Sequence, residues 1–121
     1  MTTKVLVVDD SAVSRKMLIR SLPKEWDISI TQAVNGKDAI EKYNEGLADI
    51  MFLDLTMPVM DGYQVLEILQ KQGLDTFIIV VTADIQPEAE ERVRKLGAMG
   101  FVKKPVDMDK VKSILEEYGI L

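Results

Sequence analysis

The chain has 121 residues, of which 47% are hydrophobic and 29% charged, as expected of one folded domain rather than a disordered segment. Its formal net charge of −5 argues against a nucleic-acid surface, because neutralising phosphates requires clustered Lys and Arg. It contains no Cys and no His, which excludes disulfides, thiol catalysis, thiolate metal sites and the usual general base.

The first half of the chain alternates strand and helix patterns. Strands are predicted over residues 4–8, 28–33 and 50–54, and amphipathic helices over 11–22 and 37–44. The apolar run before Asp54 indicates a strand buried on both faces, whereas residues 28–33 alternate as in an edge strand. The apolar side of the first helix is expected to consist of Val13, Met17, Leu18 and Leu22.

The second half continues the alternation. Asp61 is a candidate cap for a helix that ends near Gly73, and residues 77–82 are a strongly β-prone run. A helix begins at Gln86 with a Pro in its first turn, a short strand covers residues 100–102, and a last helix covers 108–118. Five βα units predict an α/β fold with a parallel sheet, helices on both faces and right-handed crossovers. We expect residues 1–121 to form a single domain.

Polar residues follow the predicted strands where their carboxyl ends should meet. Asp9 and Asp10 follow the first strand, and Asp54 and Thr82 end the third and fourth. In a doubly wound sheet these positions converge on one crevice. Clustered carboxylates repel each other unless a cation compensates them, and Mg²⁺ prefers such oxygen ligands. With a lysine from the Lys103-Lys104 pair after the fifth strand, this set predicts phosphoryl transfer onto Asp54.

Four motifs together resemble the receiver domain of two-component response regulators. They are Val-Val-Asp9-Asp10-Ser, Phe-Leu-Asp54-Leu-Thr-Met57-Pro58-Val-Met60-Asp61-Gly62, Val-Val-Thr82-Ala83, and Gly100-Phe101-Val-Lys103-Lys104-Pro105. Each motif alone is weak, but their order and spacing span the whole chain. The resemblance is to free-standing, CheY-type receivers without an output domain, and it implies the flavodoxin-like strand order 2-1-3-4-5.

The resemblance implies a role for each site residue. Asp54 would be the phosphoacceptor. Asp10 and Asp54, with the backbone carbonyl of Thr56, would bind Mg²⁺ directly, with Mn²⁺ as a substitute, and Asp9 would act mainly through a bound water. Lys104 would bind the phosphoryl group from a cis Lys-Pro turn.

The implied switch involves Thr82, the adjacent Ala83 and Phe101. The Thr82 hydroxyl would move onto a phosphoryl oxygen, and Phe101 would be the coupled aromatic rotamer switch. Many receivers have Tyr at the Phe101 position, so a hydroxyl-mediated partner contact is lost here. Thr56 and Asp84 occupy the positions that tune the access of water to the phosphoryl group and thereby its lifetime.

The resemblance also implies protein partners. A histidine kinase or histidine phosphotransfer domain would donate the phosphoryl group, since this chain has no His. Phosphorylation would reshape the surface of helix 4, strand 5 and helix 5, with the candidate contributors Ile85, Val93, Phe101 and Lys103. A downstream target protein, in chemotaxis or another pathway, would bind this surface. We expect a monomer that is cytoplasmic, binds no nucleic acid and does not insert into membranes, because no apolar run could span one.

Each site residue has a simpler structural interpretation, and the chain as a whole could belong to other classes of protein. Asp9 and Asp10 alone are typical of a helix cap, Asp54 of a turn, and a Lys pair of a solvated surface. An aspartyl-phosphate hydrolase of the haloacid dehalogenase type needs a second acid two positions after the nucleophile, where Thr56 stands. A nucleotide- or flavin-binding module needs a Gly- or Ser/Thr-rich loop after the first strand. We therefore predict a non-enzymatic switch that catalyses only its own phosphorylation and dephosphorylation.

Overall fold

The computed structural model describes residues 2–83 and 86–121, within which five strands alternate with five helices. The elements are β1 (Thr3–Val8), α1 (Ala12–Arg20), β2 (Ile28–Ala33), α2 (Gly36–Asn44), β3 (Ile50–Leu53), α3 (Gly62–Lys71), β4 (Phe77–Thr82), α4 (Pro87–Lys95), β5 (Gly100–Lys103) and α5 (Met108–Glu117). Among the described helices, none combines the length and apolarity that crossing a membrane requires.

The strands form one parallel sheet in the order β2-β1-β3-β4-β5, which confirms the predicted fold class and topology. The register pairs Val8 of β1 with Leu53 of β3, and Leu53 with Val80 of β4. The central strands therefore end side by side at one edge. Whatever follows them in the sequence lies along that edge.

Both faces of the sheet are buried, because alternate side chains of each strand enter two separate hydrophobic clusters. On one face, Leu6 and Leu53 pack with residues of α2, α3 and α4. On the other face, Val7 and Phe52 pack with residues of α1 and α5. This arrangement explains the continuous apolar run over β3, all of whose residues are buried.

Side-chain caps define where most of the helices begin. The N-cap residues Ser11, Asn35, Asp61 and Asp107 each accept a hydrogen bond from the backbone N–H three residues later. Asp61 and Gln64 form a complete capping box at the start of α3. The caps at Ser11 and Asp61 hold the first turns of α1 and α3 directly after the loops that follow β1 and β3. These loops contain the candidate site.

The predicted apolar side of the first helix is partly wrong. Leu18 and Leu22 are buried, but Val13 is 69% and Met17 44% exposed. At about 100° per residue, Val13 lies about 140° around the helix from Leu18, and Met17 about 100°. The four residues therefore do not share one narrow stripe, and only the side with Leu18 faces the sheet.

Candidate functional site

Three carboxylates meet at the carboxyl edge of the sheet. The Asp54 N–H donates to the Val8 carbonyl at 3.0 Å, which aligns the end of β3 with the end of β1. As a result, carboxylate oxygens of Asp9, Asp10 and Asp54 all lie within 4.8 Å of one another. Asp9 and Asp54 are buried, whereas Asp10 is exposed. The predicted convergence of the acids is present in the structure.

Lys104 directly follows β5, an edge strand of the sheet, and its side chain reaches into this cluster. Its Nζ lies 2.8 Å from Oδ2 of Asp9 and 3.5 Å from Oδ1 of Asp54. Its backbone N–H donates to the Thr82 carbonyl at 2.8 Å, so the residue directly after β5 is still held against the end of β4. The Lys104–Pro105 peptide is cis, as the resemblance implied. One ammonium group thus faces two of the three carboxylates.

The charges at the site are not balanced by Lys104 alone. Burial and the neighbouring Asp9 charge raise the pKa of Asp54 to about 6, although Lys104 opposes the shift. Burial would lower the pKa of Lys104, but its hydrogen bond to Asp9 and the charges of Asp54 and Asp9 together raise it. The surplus negative charge, presented by oxygen donors with one exposed acid, fits a hard divalent cation such as Mg²⁺.

The other predicted site residues lie around the cluster. Thr82 is buried at the end of β4, and Ala83 is exposed beside the site. Phe101 is half-buried and packs against the hydrophobic cluster on the face of α2, α3 and α4. It pairs in register with Val80, two residues before Thr82. Thr56, two residues beyond Asp54, is exposed.

The predicted partner surface needs one correction. Val93 has 0% exposure and packs in the hydrophobic core, so it cannot contribute to a free surface. It lies on the same side of α4 as the buried Ala89, one turn earlier, and this side faces the sheet. Lys103 is exposed, and Phe101 partly so. Asp84 and Ile85, predicted as tuning and surface residues, lie outside the described residues.

The loop after β3 is held close to Asp54. The Gly62 N–H donates to the Leu55 carbonyl at 3.0 Å. A Cβ on Gly62 would lie 2.4 Å from the Asp54 carbonyl oxygen, so only Gly permits this approach. Within the loop, Val59 has φ 69°, and the Met60 N–H donates to the Pro58 carbonyl at 2.7 Å in a three-residue turn.

A cavity of about 320 Å³ borders the same residues. Asp9, Asp54 and Lys104 contribute its polar wall, and its apolar wall comes from the α1–α5 face of the sheet, including Met17, Leu18, Phe52, Val81 and Val106. Free volume is therefore present directly beside the Asp54 carboxylate.

Two residues at the site could not be identified from the sequence. Arg15 of α1 donates from Nη1 to the Asp9 carbonyl and from Nε to Oε1 of Gln32 in β2, each at 2.8 Å. The sequence indicates only that Arg15 lies off the apolar side of an amphipathic helix. Gln32 stands in an alternating edge strand, and no motif connects the two positions.

Comparison with known proteins agrees with this geometry. A model of the response regulator receiver domain matches residues 5–116. The chemotaxis protein CheY of Listeria monocytogenes is 36% identical over 115 residues, which cover 94% of this chain and 96% of that protein. A solved complex of CheX, CheY, BeF3 and Mg²⁺ from Borrelia burgdorferi has a chain with a TM-score of 0.86 and 29% identity, covering 96% of this chain and 89% of that one.

An enzyme is also among the relatives. A protein-glutamate methylesterase/protein-glutamine glutaminase of Halalkalibacterium halodurans is 38% identical over 122 residues, which cover 94% of this chain. The chain spans only 35% of the length of that enzyme. The similarity therefore concerns one part of the methylesterase and does not extend its activity to this chain.

Proposed function

The chain belongs to the response regulator receiver domain family of two-component systems, and on that premise we propose that Asp54 is its phosphoacceptor. One observation carries the proposal: the Asp54 carboxylate lies among Asp9, Asp10 and Lys104 at the carboxyl edge of the sheet. The pKa of Asp54, raised by burial and by the Asp9 charge, and the adjacent cavity are typical of a functional site.

The transfer step follows from the nature of the nucleophile. One Asp54 carboxylate oxygen attacks the phosphorus of a phosphohistidine on the partner protein. An O–P bond forms while the P–N bond breaks, and the imidazole nitrogen leaves with the electron pair of that bond. Lys104, whose Nζ lies 3.5 Å from Asp54, is close enough to donate a hydrogen bond to a phosphoryl oxygen there.

Asp10, Asp54 and the Thr56 carbonyl are the proposed ligands of Mg²⁺ or Mn²⁺, with Asp9 acting through water. The bound cation would neutralise charge on the phosphoryl oxygens. Asp9 also has a role of its own, because its Oδ2 accepts a hydrogen bond from Lys104 at 2.8 Å and thereby orients the ammonium group. The exposure of Asp10 leaves its carboxylate accessible to a hydrated cation.

The proposed readout runs through β4 and β5. A phosphoryl oxygen on Asp54 would attract the Thr82 hydroxyl, and Ala83 would move with it. Phe101 is adjacent to this segment, because β5 pairs with β4 from Ile79 to Thr82. Its half-buried ring could then take a more buried position, changing the surface beside Lys103.

The proposed partners follow from the family. A histidine kinase or a histidine phosphotransfer domain supplies the phosphoryl group, and a downstream protein binds the altered surface. Relatives named as chemotaxis proteins favour a role in chemotaxis. We further propose a cytoplasmic monomer that has no enzymatic activity beyond its own phosphorylation and dephosphorylation.

The switch is tested with beryllofluoride and Mg²⁺, using amide NMR shifts as the readout. We expect shifts at Asp54, in β4 and around Phe101 in the wild type, and none of them in Asp54→Asn. In Thr82→Ala, the shifts at Asp54 should persist while those at Phe101 disappear. Shifts at Phe101 that survive in Thr82→Ala would contradict the proposed coupling, and shifts in Asp54→Asn would contradict the proposed acceptor.

A further inference from the structure

The Arg15 side chain connects three elements at the edge of the sheet where the acids lie. It starts in α1, passes over the end of β1 and reaches β2. We propose that Arg15, supported by Gln32, is a positioning residue that orients the Asp9–Asp10 segment for binding a divalent cation. The inference rests on the proposed function of this site, since it concerns how the metal ligands are held.

The contacts of the Arg15 guanidinium are specific. Nη1 donates to the backbone carbonyl of Asp9 at 2.8 Å, and Nε donates to Oε1 of Gln32 at 2.8 Å. Two donors of one planar group therefore have two acceptors, one directly after β1 and one in β2, which restricts the rotation of the guanidinium. Gln32 pairs in register with Val7, two residues before Asp9, so its amide lies beside the end of β1.

The carbonyl that Arg15 binds is at the end of the strand ladder. The Asp54 N–H donates to the carbonyl of Val8, one residue before Asp9. The Asp9 N–H still donates to the Ala33 carbonyl of β2 at 3.1 Å, so the Asp9 carbonyl is the first backbone group after β1 that accepts no backbone hydrogen bond from the described strands of the sheet. Since this carbonyl belongs to the planar peptide that joins Asp9 to Asp10, fixing it also fixes the direction in which the chain enters Asp10.

Asp9 and Asp10 differ in how their carboxylates are held. Asp9 accepts hydrogen bonds from the Ser11 N–H at 2.9 Å and from Lys104 Nζ at 2.8 Å. Asp10 is exposed, and its carboxylate accepts no hydrogen bond from the residues that the structure describes. The orientation of Asp10 therefore depends on its backbone, which is what Arg15 restrains.

The experiment measures Mg²⁺ affinity of the unphosphorylated protein by calorimetry, and order parameters of the Asp10 and Ser11 amides in EDTA. Arg15→Met removes the donors and the charge. Lys16→Met is the matched control, because Lys16 is an exposed cation next to Arg15 on the same helix. Arg15→Lys keeps the charge without the paired donors, and Gln32→Leu removes only the support.

We expect Arg15→Met to weaken Mg²⁺ binding about 10-fold, the lower end of the effect of residues that orient metal ligands. The amide order parameters should fall from about 0.85 toward 0.6. Arg15→Lys and Gln32→Leu should show smaller losses of both, and Lys16→Met should resemble the wild type. Thermal unfolding in EDTA identifies any variant that is merely unfolded. If Arg15→Met is unfolded, Gln32→Leu is compared with Lys16→Met in its place.

Equal Mg²⁺ affinity and equal order parameters in Arg15→Met and Lys16→Met would overturn the positioning role. A loss of affinity without a change in order would reduce Arg15 to an electrostatic contribution and also overturn it. If the wild type binds no Mg²⁺, the proposed function fails at that point. The order parameters in EDTA still decide whether Arg15 holds the Asp9–Asp10 segment.

Discussion

The ammonium group of Lys104 lies 2.8 Å from the Asp9 carboxylate, although 95 residues separate the two in the sequence. The strands that precede them, β5 and β1, are not neighbours, because β3 and β4 lie between them. Lys104 therefore extends along the carboxyl edge of the sheet and past Asp54. This contact connects the loop after β5 with the loop after β1, and Asp54 lies between them.

Replacing Lys104 should impair the transfer of the phosphoryl group. In Lys104→Met, we expect phosphorylation by acetyl phosphate to slow about 100-fold, because a preorganised cation beside the reacting carboxylate is lost. Lys103→Met is the control, since Lys103 is an exposed neighbour outside the cluster. The rate is measured by intact-protein mass spectrometry. Similar rates for the two variants would show that Lys104 does not act on the phosphoryl group.

Asp54→Asn should stabilise the metal-free protein at neutral pH. The folded-state pKa of Asp54 is raised from 3.8 to about 6, so ionisation of this group opposes folding. Its contribution to stability is fully present below pH 3.8 and is lost as the pH rises through about 6. In EDTA at pH 7.5, Asp54→Asn should therefore gain about 1–2 kcal/mol, a value reduced for partial solvent screening.

The pH dependence of this difference is the decisive feature. Thermal unfolding of wild type and Asp54→Asn should give nearly equal midpoints at about pH 3.5, below the unfolded-state pKa, and diverge as the pH rises to 7.5. Asp75→Asn, which changes an exposed acid, should show no such divergence. A wild type that is the more stable of the two at pH 7.5 in EDTA would contradict the raised pKa.

Asp10→Asn should separate metal binding from folding. Asp10 is exposed, so its replacement should change the unfolding midpoint in EDTA by little. The same variant should bind Mg²⁺ at least about 10-fold more weakly in calorimetry, because one charged oxygen ligand is lost. Glu25→Gln removes an exposed acid elsewhere and serves as the control. Unchanged Mg²⁺ affinity in Asp10→Asn would place the cation outside this cluster.

Val59→Asn should stabilise the loop after β3. Val59 has φ 69° and is 76% exposed, so a β-branched side chain occupies a disfavoured backbone conformation without buried contacts to compensate. Asn tolerates positive φ, and we expect a gain of about 1 kcal/mol in the free energy of unfolding. The same change at Val13, which is 69% exposed in α1, should be nearly neutral. Equal effects at both positions would argue against strain at Val59.

The acid cluster could be predicted because it depends on topology. Parallel strands with alternating helices bring their carboxyl ends to one edge, so Asp9, Asp10 and Asp54 follow from the strand pattern. The contact with Lys104 depends on a family resemblance as well, because the order of the strands is not contained in their periodicity.

Other features could not be predicted, for physical reasons. Positive φ at Val59 runs against the preference of its residue type, so composition indicates the wrong conformation. Val13 and Met17 are a different case, because the 100° spacing of helical residues already separates them from Leu18, and their apolar character alone led to the wrong assignment. The contact between Arg15 and Gln32 joins two polar residues whose proximity arises from tertiary structure alone.

The central claim is that Asp54 accepts a phosphoryl group. Its most direct measurement is the intact mass of wild type and Asp54→Asn after incubation with acetyl phosphate and Mg²⁺. The account predicts about one added phosphoryl group per wild-type chain, none when EDTA is present during the incubation, and none on Asp54→Asn. An unmodified wild type, or the same adduct on Asp54→Asn, would contradict it.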